Sequence, residues 1–165
     1  MNQIREIITR AIIGKGKKRT KTKYTFSLEG VTKILGCWIS CHRYEAAISN
    51  GIPQVIGVYD LHVWYSNEDG KNCALYKTQI SYQEDMEVIK KENRIFNNED
   101  GIEAICTLEP KCVDACLAND QLVIEVEKEM LVQIIGDATL RIKVHQEEET
   151  WDIDNLVSLN DSFID

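Results

Sequence analysis

Hydrophobic and polar residues alternate with a period of two over much of the chain. The clearest stretch runs from Val55 to Tyr65, where one face carries Val55, Tyr59, Leu61, Val63 and Tyr65. This alternation is typical of a β-strand that buries one face. Asp69-Gly70 then predicts a hairpin turn, and one face of the return strand carries Ala74, Tyr76, Thr78, Ile80 and Tyr82.

Further strands are predicted on both sides of this hairpin. From Ile34 onward, one face carries Leu35, Cys37, Ile39 and Cys41, and the other carries Trp38, His42 and Tyr44. Other strand segments cover residues 84–90, 102–108, 113–117, 122–135 and 139–145, with a loop at 97–101 and a turn at Gly136-Asp137. Eight or nine short strands at this spacing predict an all-β, mainly antiparallel sandwich or barrel.

The N-terminal segment has a different period. Its apolar residues recur at the spacing of an amphipathic helix, at Ile4, Ile7, Ile8, Ala11 and Ile12. The β-branched isoleucines would also fit a strand that ends at Gly14. We expect a short helix that becomes a strand near Arg10, followed by a basic turn over residues 14–18.

Composition and charge define one domain with two charged ends. The chain has 165 residues and a net charge of −8, yet residues 1–25 carry +7 and residues 146–165 carry −7. The size suits a single domain, which we place at residues 1–145, with an acidic tail at 146–165. The two ends either attract each other, within one molecule or between copies, or are separate solvated arms.

Several classes of function are disfavoured. No apolar run approaches the roughly 20 residues that span a bilayer, and the first residues lack the features of a secretory signal, so we expect no membrane insertion and an intracellular protein. No common catalytic motif occurs. The basic stretch has no aromatic stacking platform beside it, and the rest of the chain is acidic, which disfavours nucleic acid. We expect no enzyme activity and no cofactor.

The six cysteines form two pairs with a spacing of four, Cys37 with Cys41 and Cys112 with Cys116. Four residues of a strand span about 13 Å, whereas a disulfide needs Cα atoms within about 7 Å. We therefore predict buried thiols at the first pair and no metal site. The second pair flanks a turn-like segment, so a metal- or redox-regulated binding module shared with another chain is the alternative. A weaker alternative is an enzyme that acts through Cys41 or through the pair of Asp60 and His62.

The tail combines acidic and large apolar residues, which is typical of a segment that docks onto partners. The candidate docking residues are Glu147, Glu148, Glu149, Trp151, Asp152 and Asp154. The candidate oligomerisation residues at the other end of the chain are Ile4, Ile7, Ile8, Lys17, Lys18 and Arg19.

Four motifs of the chain are more specific than its general strand pattern. They are Ile34-Leu35-Gly36-x-Trp38-Ile39, His42-x-Tyr44, Gly57-Val58-Tyr59-Asp60 and Val63-Trp64-Tyr65-Ser66. With these motifs, the stretch from about Arg5 to Val144 resembles the outer spore coat protein E (CotE) family of endospore-forming Firmicutes. We take Gly36, Trp38, His42, Tyr59, Trp64 and Tyr65 as structural residues of the motif.

The resemblance implies a non-enzymatic morphogenetic scaffold. Such a protein is made in the mother-cell cytoplasm during sporulation and becomes part of the spore coat. It forms homo-oligomers over the basement layer around the forespore and recruits outer coat proteins. In the family, the acidic C-terminal segment is associated with that recruitment.

Overall fold

The computed structural model describes residues 2–67, 70–91 and 94–145, and most of them lie in β-strands. These residues form β1 (Asn2–Phe26), β2 (Val31–Ser49), β3 (Ile52–Asn67), β4 (Asn72–Asp85), β5 (Ile89–Lys90), β6 (Gly101–Ala118) and β7 (Gln121–His145). No helix capable of crossing a membrane is found among them. The predicted all-β, antiparallel class is confirmed.

The strands form a four-stranded sheet in the order β5-β1-β7-β6 and a three-stranded sheet in the order β2-β3-β4. Tight hairpins set the register of two pairs. Ser49 pairs with Ile52 around Asn50-Gly51, and Ala118 pairs with Gln121 around Asn119-Asp120. All four turn residues have positive φ, as two-residue hairpin turns of type I′ require.

The core contains residues from both sheets. The predicted inward face of β3 is confirmed, with Val55, Tyr59, Leu61 and Val63 at most 1% exposed. The face predicted for the return strand is also confirmed, because its members are buried or half-buried in β4. On β7, every second residue from Leu122 to Ile134 is buried. Buried residues of β3, β4 and β7 belong to one hydrophobic cluster.

The prediction of eight or nine short strands is wrong. The segments 102–108 and 113–117 join into β6, and 122–135 and 139–145 join into β7 through Gly136-Asp137. In β6 the chain passes Pro110 with register shifts in its pairing to β7, so the irregular sequence makes bulges rather than a turn. The segment predicted as a strand at 84–90 contains only the end of β4 and the short β5. The predicted loop at 97–101 is confirmed up to Asp100.

The predicted N-terminal helix is also wrong, as is the basic turn at 14–18. Both lie within β1, a continuous strand of 25 residues. β-Branched isoleucine favours a strand, and β7 and β5 supply the hydrogen-bond partners. A Cβ atom at Gly16 would lie 2.2 Å from the carbonyl oxygen of Glu87, so glycine there permits a close approach of backbones.

The described residues fall into two compact units. Residues 10–137 make up the larger unit, which contains the core, and residues 2–9 and 138–145 belong to the smaller one. In the smaller unit, Glu6 of β1 forms an ion pair with Arg141 of β7, at 3.3 Å. The predicted tail at 146–165 lies outside the described residues.

Candidate functional site

A lysine lies on the inner, otherwise apolar face of β7. Lys128 is 4% exposed and forms an ion pair with Glu84 of β4. Its ammonium also donates a hydrogen bond to Thr20 Oγ1 of β1 at 2.8 Å and lies 4.3 Å from the centroid of the Tyr82 ring. A buried charge is stable only when it is paired. These contacts therefore tie β7 to β1 and β4 at one register.

His42, Cys106 and Glu109 form a polar cluster that also contacts Tyr82 through His42. Their side-chain ligand atoms all lie within 4.8 Å of one another. The His42 imidazole is 5% exposed, with Nδ1 3.2 Å from Glu109 Oε2 and Nε2 2.6 Å from Tyr82 Oη. The Cys106 thiol donates to the Leu108 carbonyl oxygen at 3.2 Å. A chain of polar contacts thus runs from Glu84 through Lys128 and Tyr82 to His42 and Glu109.

A bulge in β2 places His42 in this cluster. Cys41 has a φ of 55°, and the pairing of β2 with β3 shifts register between Ser40 and Arg43. Because of this shift, the side chains that follow it point to the opposite face of the sheet from the one that a regular strand would give them. The prediction that Cys41 faces the core and His42 lies opposite is therefore wrong, because Cys41 is exposed. A second shift, after Ile34, leaves Leu35 exposed.

Bulges in β6 bring Cys106 and Glu109 to the same cluster. Residues three apart on a regular strand face opposite sides. Here the pairing of β6 with β7 shifts between Cys106 and Leu108 and again between Leu108 and Lys111. The Cys106 backbone N–H donates to Tyr44 Oη of β2 at 3.2 Å, which links the two strands at this point.

Burial sets the protonation state of the cluster. Burial lowers the pKa of His42 from its ordinary value of 6.5, an effect that outweighs the opposing influence of the Glu109 carboxylate. Burial, together with the nearby charge of Glu109, raises the pKa of Cys106 to about 11. Burial and the charge of Glu84 raise the pKa of Tyr82. At neutral pH the imidazole, thiol and phenol are all uncharged and suited to hydrogen bonding.

Two tryptophans of the predicted motif lie on the outer face of the three-stranded sheet. Trp38 is 45% exposed and Trp64 is 41% exposed. Trp38 stacks on His62, with ring centroids 5.1 Å apart and planes inclined by 4°. Trp64 pairs across the strands with Leu75, which is also exposed. We call Trp38, His62, Trp64 and Leu75 the tryptophan face.

The other motif residues lie elsewhere. Tyr59 is buried, and its hydroxyl donates to Tyr24 Oη at 3.0 Å. Tyr65 is half-buried and pairs with Ile34 and Ala74. A Cβ atom at Gly36 would meet no atom within 4 Å.

The candidate oligomerisation residues of β1 are separated by the structure into two groups. Ile4, Ile7 and Ile8 are all exposed and belong to the smaller unit. The basic residues lie in the larger unit and already have partners in the same chain. Lys17 pairs with Glu129 at 3.2 Å, Arg19 with Glu127 at 2.8 Å, and Lys18 Nζ donates to the Asp85 carbonyl oxygen at 3.3 Å.

The cysteines are arranged differently from the predicted pairs. Cys112 and Cys116 were predicted to flank a turn-like segment, but both lie in β6, where they pair with Val126 and Val123 of β7. Cys116 is exposed, whereas Cys112 is half-buried and its thiol donates to the Asp114 carbonyl oxygen at 3.4 Å. Burial, reinforced by Cys112, raises the pKa of Cys37.

Asp60 and His62, the other candidate pair, each have a different polar partner. Asp60 forms an ion pair with Lys77 at 3.8 Å. His62 Nε2 lies 2.8 Å from Ser40 Oγ. The docking residues predicted in the tail, at 147–149, 151, 152 and 154, lie outside the described residues.

Sequence reasoning missed the buried ion pair, although the sequence contains a signal for it. Lys128 interrupts the alternate apolar residues of β7, and Glu84 follows Tyr82 on the inward face of β4. Two opposite charges on facing core positions indicate a buried pair. No comparable signal exists for His42 and Glu109, because the bulges that bring them together change the period locally.

Comparison with known proteins identifies one family. The sequence model of outer spore coat protein E (CotE) matches residues 3–164, nearly the whole chain. No curated protein matches the chain, and no solved structure matches it.

Proposed function

The chain belongs to the outer spore coat protein E family and is a spore coat protein, and we propose that it is a self-assembling scaffold. It assembles with copies of itself over the basement layer of the forespore and recruits outer coat proteins. It is made in the mother-cell cytoplasm and has a structural role rather than a catalytic one. The fold proposed for it is a sandwich, supported by the hydrophobic cluster that combines residues of β3 and β7.

The tryptophan face is the observation that carries this proposal. Isolated apolar residues are normal on protein surfaces, but a contiguous exposed group marks an interaction site. Tryptophan is also among the residues that dominate binding energy at protein interfaces. Trp38, Trp64 and Leu75 lie on adjacent strands of one sheet, which holds them as a rigid surface.

The smaller unit supports assembly independently. A two-stranded ribbon is marginally stable in water without further packing. Ile4 and Ile8 point to one side of β1 and Ile7 to the other, because side chains alternate along a strand, and all three are exposed. Packing against a second copy would remove this apolar surface from water.

The tail is proposed as the arm that recruits client proteins. Its acidic and apolar residues, from Glu147 to Asp154, suit a segment that becomes ordered on a partner. The basic residues Lys17 and Arg19 already pair with carboxylates of β7. These ion pairs favour an external partner for the tail over the basic segment of a neighbouring copy.

The assembly proposal is tested by replacing both tryptophans of the tryptophan face. We expect the wild-type chain to form large assemblies in light scattering and electron microscopy. The double variant W38S/W64S should remain a small discrete species at the same concentration, with an unchanged far-ultraviolet circular dichroism spectrum. Val113→Ser, an exposed apolar position on β6, is the matched control and should assemble normally.

Two results would contradict the proposal in different ways. A wild-type chain that stays monomeric at micromolar concentration would exclude self-assembly. Assemblies that form equally well in W38S/W64S would exclude the tryptophan face as the contact. Removal of residues 146–165 separates the two roles of the scaffold, because it should abolish client recruitment and leave assembly intact.

A further inference from the structure

Three different metal-ligand types converge beside Tyr82. His42 of β2 offers an imidazole nitrogen, Cys106 of β6 a sulfur, and Glu109 of β6 a carboxylate oxygen, all within 4.8 Å of one another. In a tetrahedral zinc site with bonds of about 2.0–2.3 Å, ligand atoms are separated by roughly 3.3–3.8 Å. His42 Nδ1 and Glu109 Oε2 are 3.2 Å apart, close to that spacing, and the Cys106 sulfur lies within 4.8 Å of a ligand atom of each.

We propose that His42, Cys106 and Glu109 bind one zinc ion between β2 and β6. Nitrogen, sulfur and oxygen ligands together suit zinc, whereas magnesium and calcium prefer oxygen alone. The side chain of Glu109 is 70% exposed. The fourth coordination position is therefore open on the solvent side, for water or for a ligand from another molecule.

The contacts around His42 favour this arrangement. A metal-binding histidine normally uses its second ring nitrogen in a hydrogen bond that fixes the ring. Here Nε2 lies 2.6 Å from Tyr82 Oη, which leaves Nδ1 directed at Glu109. With zinc on Nδ1, the ring proton moves to Nε2 and is donated to Tyr82. Tyr82 is held in turn by its contact with the Lys128 ammonium.

Zinc binding replaces two hydrogen bonds of the metal-free cluster and releases a thiol proton. The Cys106 S–H gives up its bond to the Leu108 carbonyl and coordinates as thiolate. Nδ1 of His42 coordinates in place of its contact with Glu109. The consequence is a link between two strands that belong to different sheets, at the site where both strands are bulged.

Cobalt titration of the full chain, stripped of metal with a chelator, tests the proposal. Cobalt(II) is a spectroscopic substitute for zinc, and thiolate coordination gives a near-ultraviolet charge-transfer band. We expect one cobalt per chain, with that band and visible d–d bands, and reversal of both when zinc is added. Tyr82→Phe should keep the band and weaken the affinity by about 10–100-fold, as loss of an outer hydrogen-bond partner does.

Variants distinguish this site from the other cysteines. Cys106→Ser should abolish the charge-transfer band, and Glu109→Gln, an exposed and structurally mild change, should reduce affinity. Cys116→Ser, on the same strand but exposed, is the matched control and should leave the titration unchanged. The absence of a band in the folded wild-type chain, or a band that survives in Cys106→Ser, would overturn the proposal.

Discussion

The buried ion pair of Lys128 and Glu84 yields the sharpest prediction about stability. Removal of one member of a buried pair leaves a charge without compensation and costs about 3–5 kcal/mol. In Lys128→Met, the carboxylate of Glu84 stays in the core. Its Oε2 is already buried without a described hydrogen-bond partner. The contact between the ammonium and the Tyr82 ring is lost as well, at about 0.5–2 kcal/mol. We therefore expect Lys128→Met to lower the free energy of unfolding by at least about 3 kcal/mol.

The double variant K128M/E84M separates the charge effect from loss of packing. Replacement of both members of a buried pair by apolar residues of similar size is often neutral or stabilising by about 1–4 kcal/mol. We expect the double variant to recover at least wild-type stability, so that the two substitutions are strongly non-additive. The control is Lys77→Met, which breaks the 3.8 Å Lys77–Asp60 pair at a lysine that is 59% exposed and should cost at most about 1 kcal/mol.

Urea denaturation followed by tryptophan fluorescence measures these differences, at one protein concentration for all variants. With a slope of about 1–3 kcal/mol per molar urea, a loss of 3 kcal/mol moves the midpoint by roughly 1–3 M. The reasoning is refuted if Lys128→Met costs no more than Lys77→Met. It is refuted equally if K128M/E84M is as unstable as Lys128→Met, because shape rather than charge would then dominate.

Two further predictions concern the polar cluster. A Cβ atom at Gly57 would lie 2.3 Å from the Tyr82 ring, so Gly57→Ala should lower the thermal midpoint by several degrees. The control variant Gly36→Ala, whose new Cβ meets no atom within 4 Å, should change the midpoint little. Equal thermal midpoints for the two variants would contradict this prediction. In metal-free protein, the lowered pKa of His42 means that the unfolded state is protonated first as pH falls below about 6.5. The free energy of unfolding should therefore decrease as the pH falls below that value, until His42 is protonated in the folded state too. In the His42→Gln variant this decrease should be smaller. Equal pH slopes of the free energy of unfolding for the two proteins, measured by urea denaturation, would contradict this prediction.

The regular part of the fold was predictable because its strands bury one face only. From Val55 to Val63, burial on one side and solvent on the other leave a pure period of two in the sequence. The first residues have no such pattern, because isoleucines occupy both faces of the ribbon that β1 forms with β7. Ile4, Ile7 and Ile8 then mimic the spacing of a helix although the residues form a strand.

The bulged part of the fold was not predictable from a fixed period. One extra residue in a strand reverses the facing of all that follow. Cys41 and His42 illustrate this, since the positive φ of Cys41 exchanges their predicted faces. The number of strands was overestimated for the same reason, because the irregular segments of β6 around Pro110 resembled a turn.

The buried polar contacts and the exposed tryptophan face are linked through strand register. A slip of one residue in β3 would turn Trp64 inward, and the same slip in β4 would turn Leu75 inward. Either slip would expose the residues of that strand that now form the core. The same slip in β4 would turn the Glu84 carboxylate away from Lys128 and leave both charges unpaired, at a cost of several kcal/mol. The ion pair therefore disfavours alternative pairings more strongly than it stabilises the native one. The repeating assembly that we propose needs every copy to present the same surface, and a core that penalises register errors supplies that uniformity.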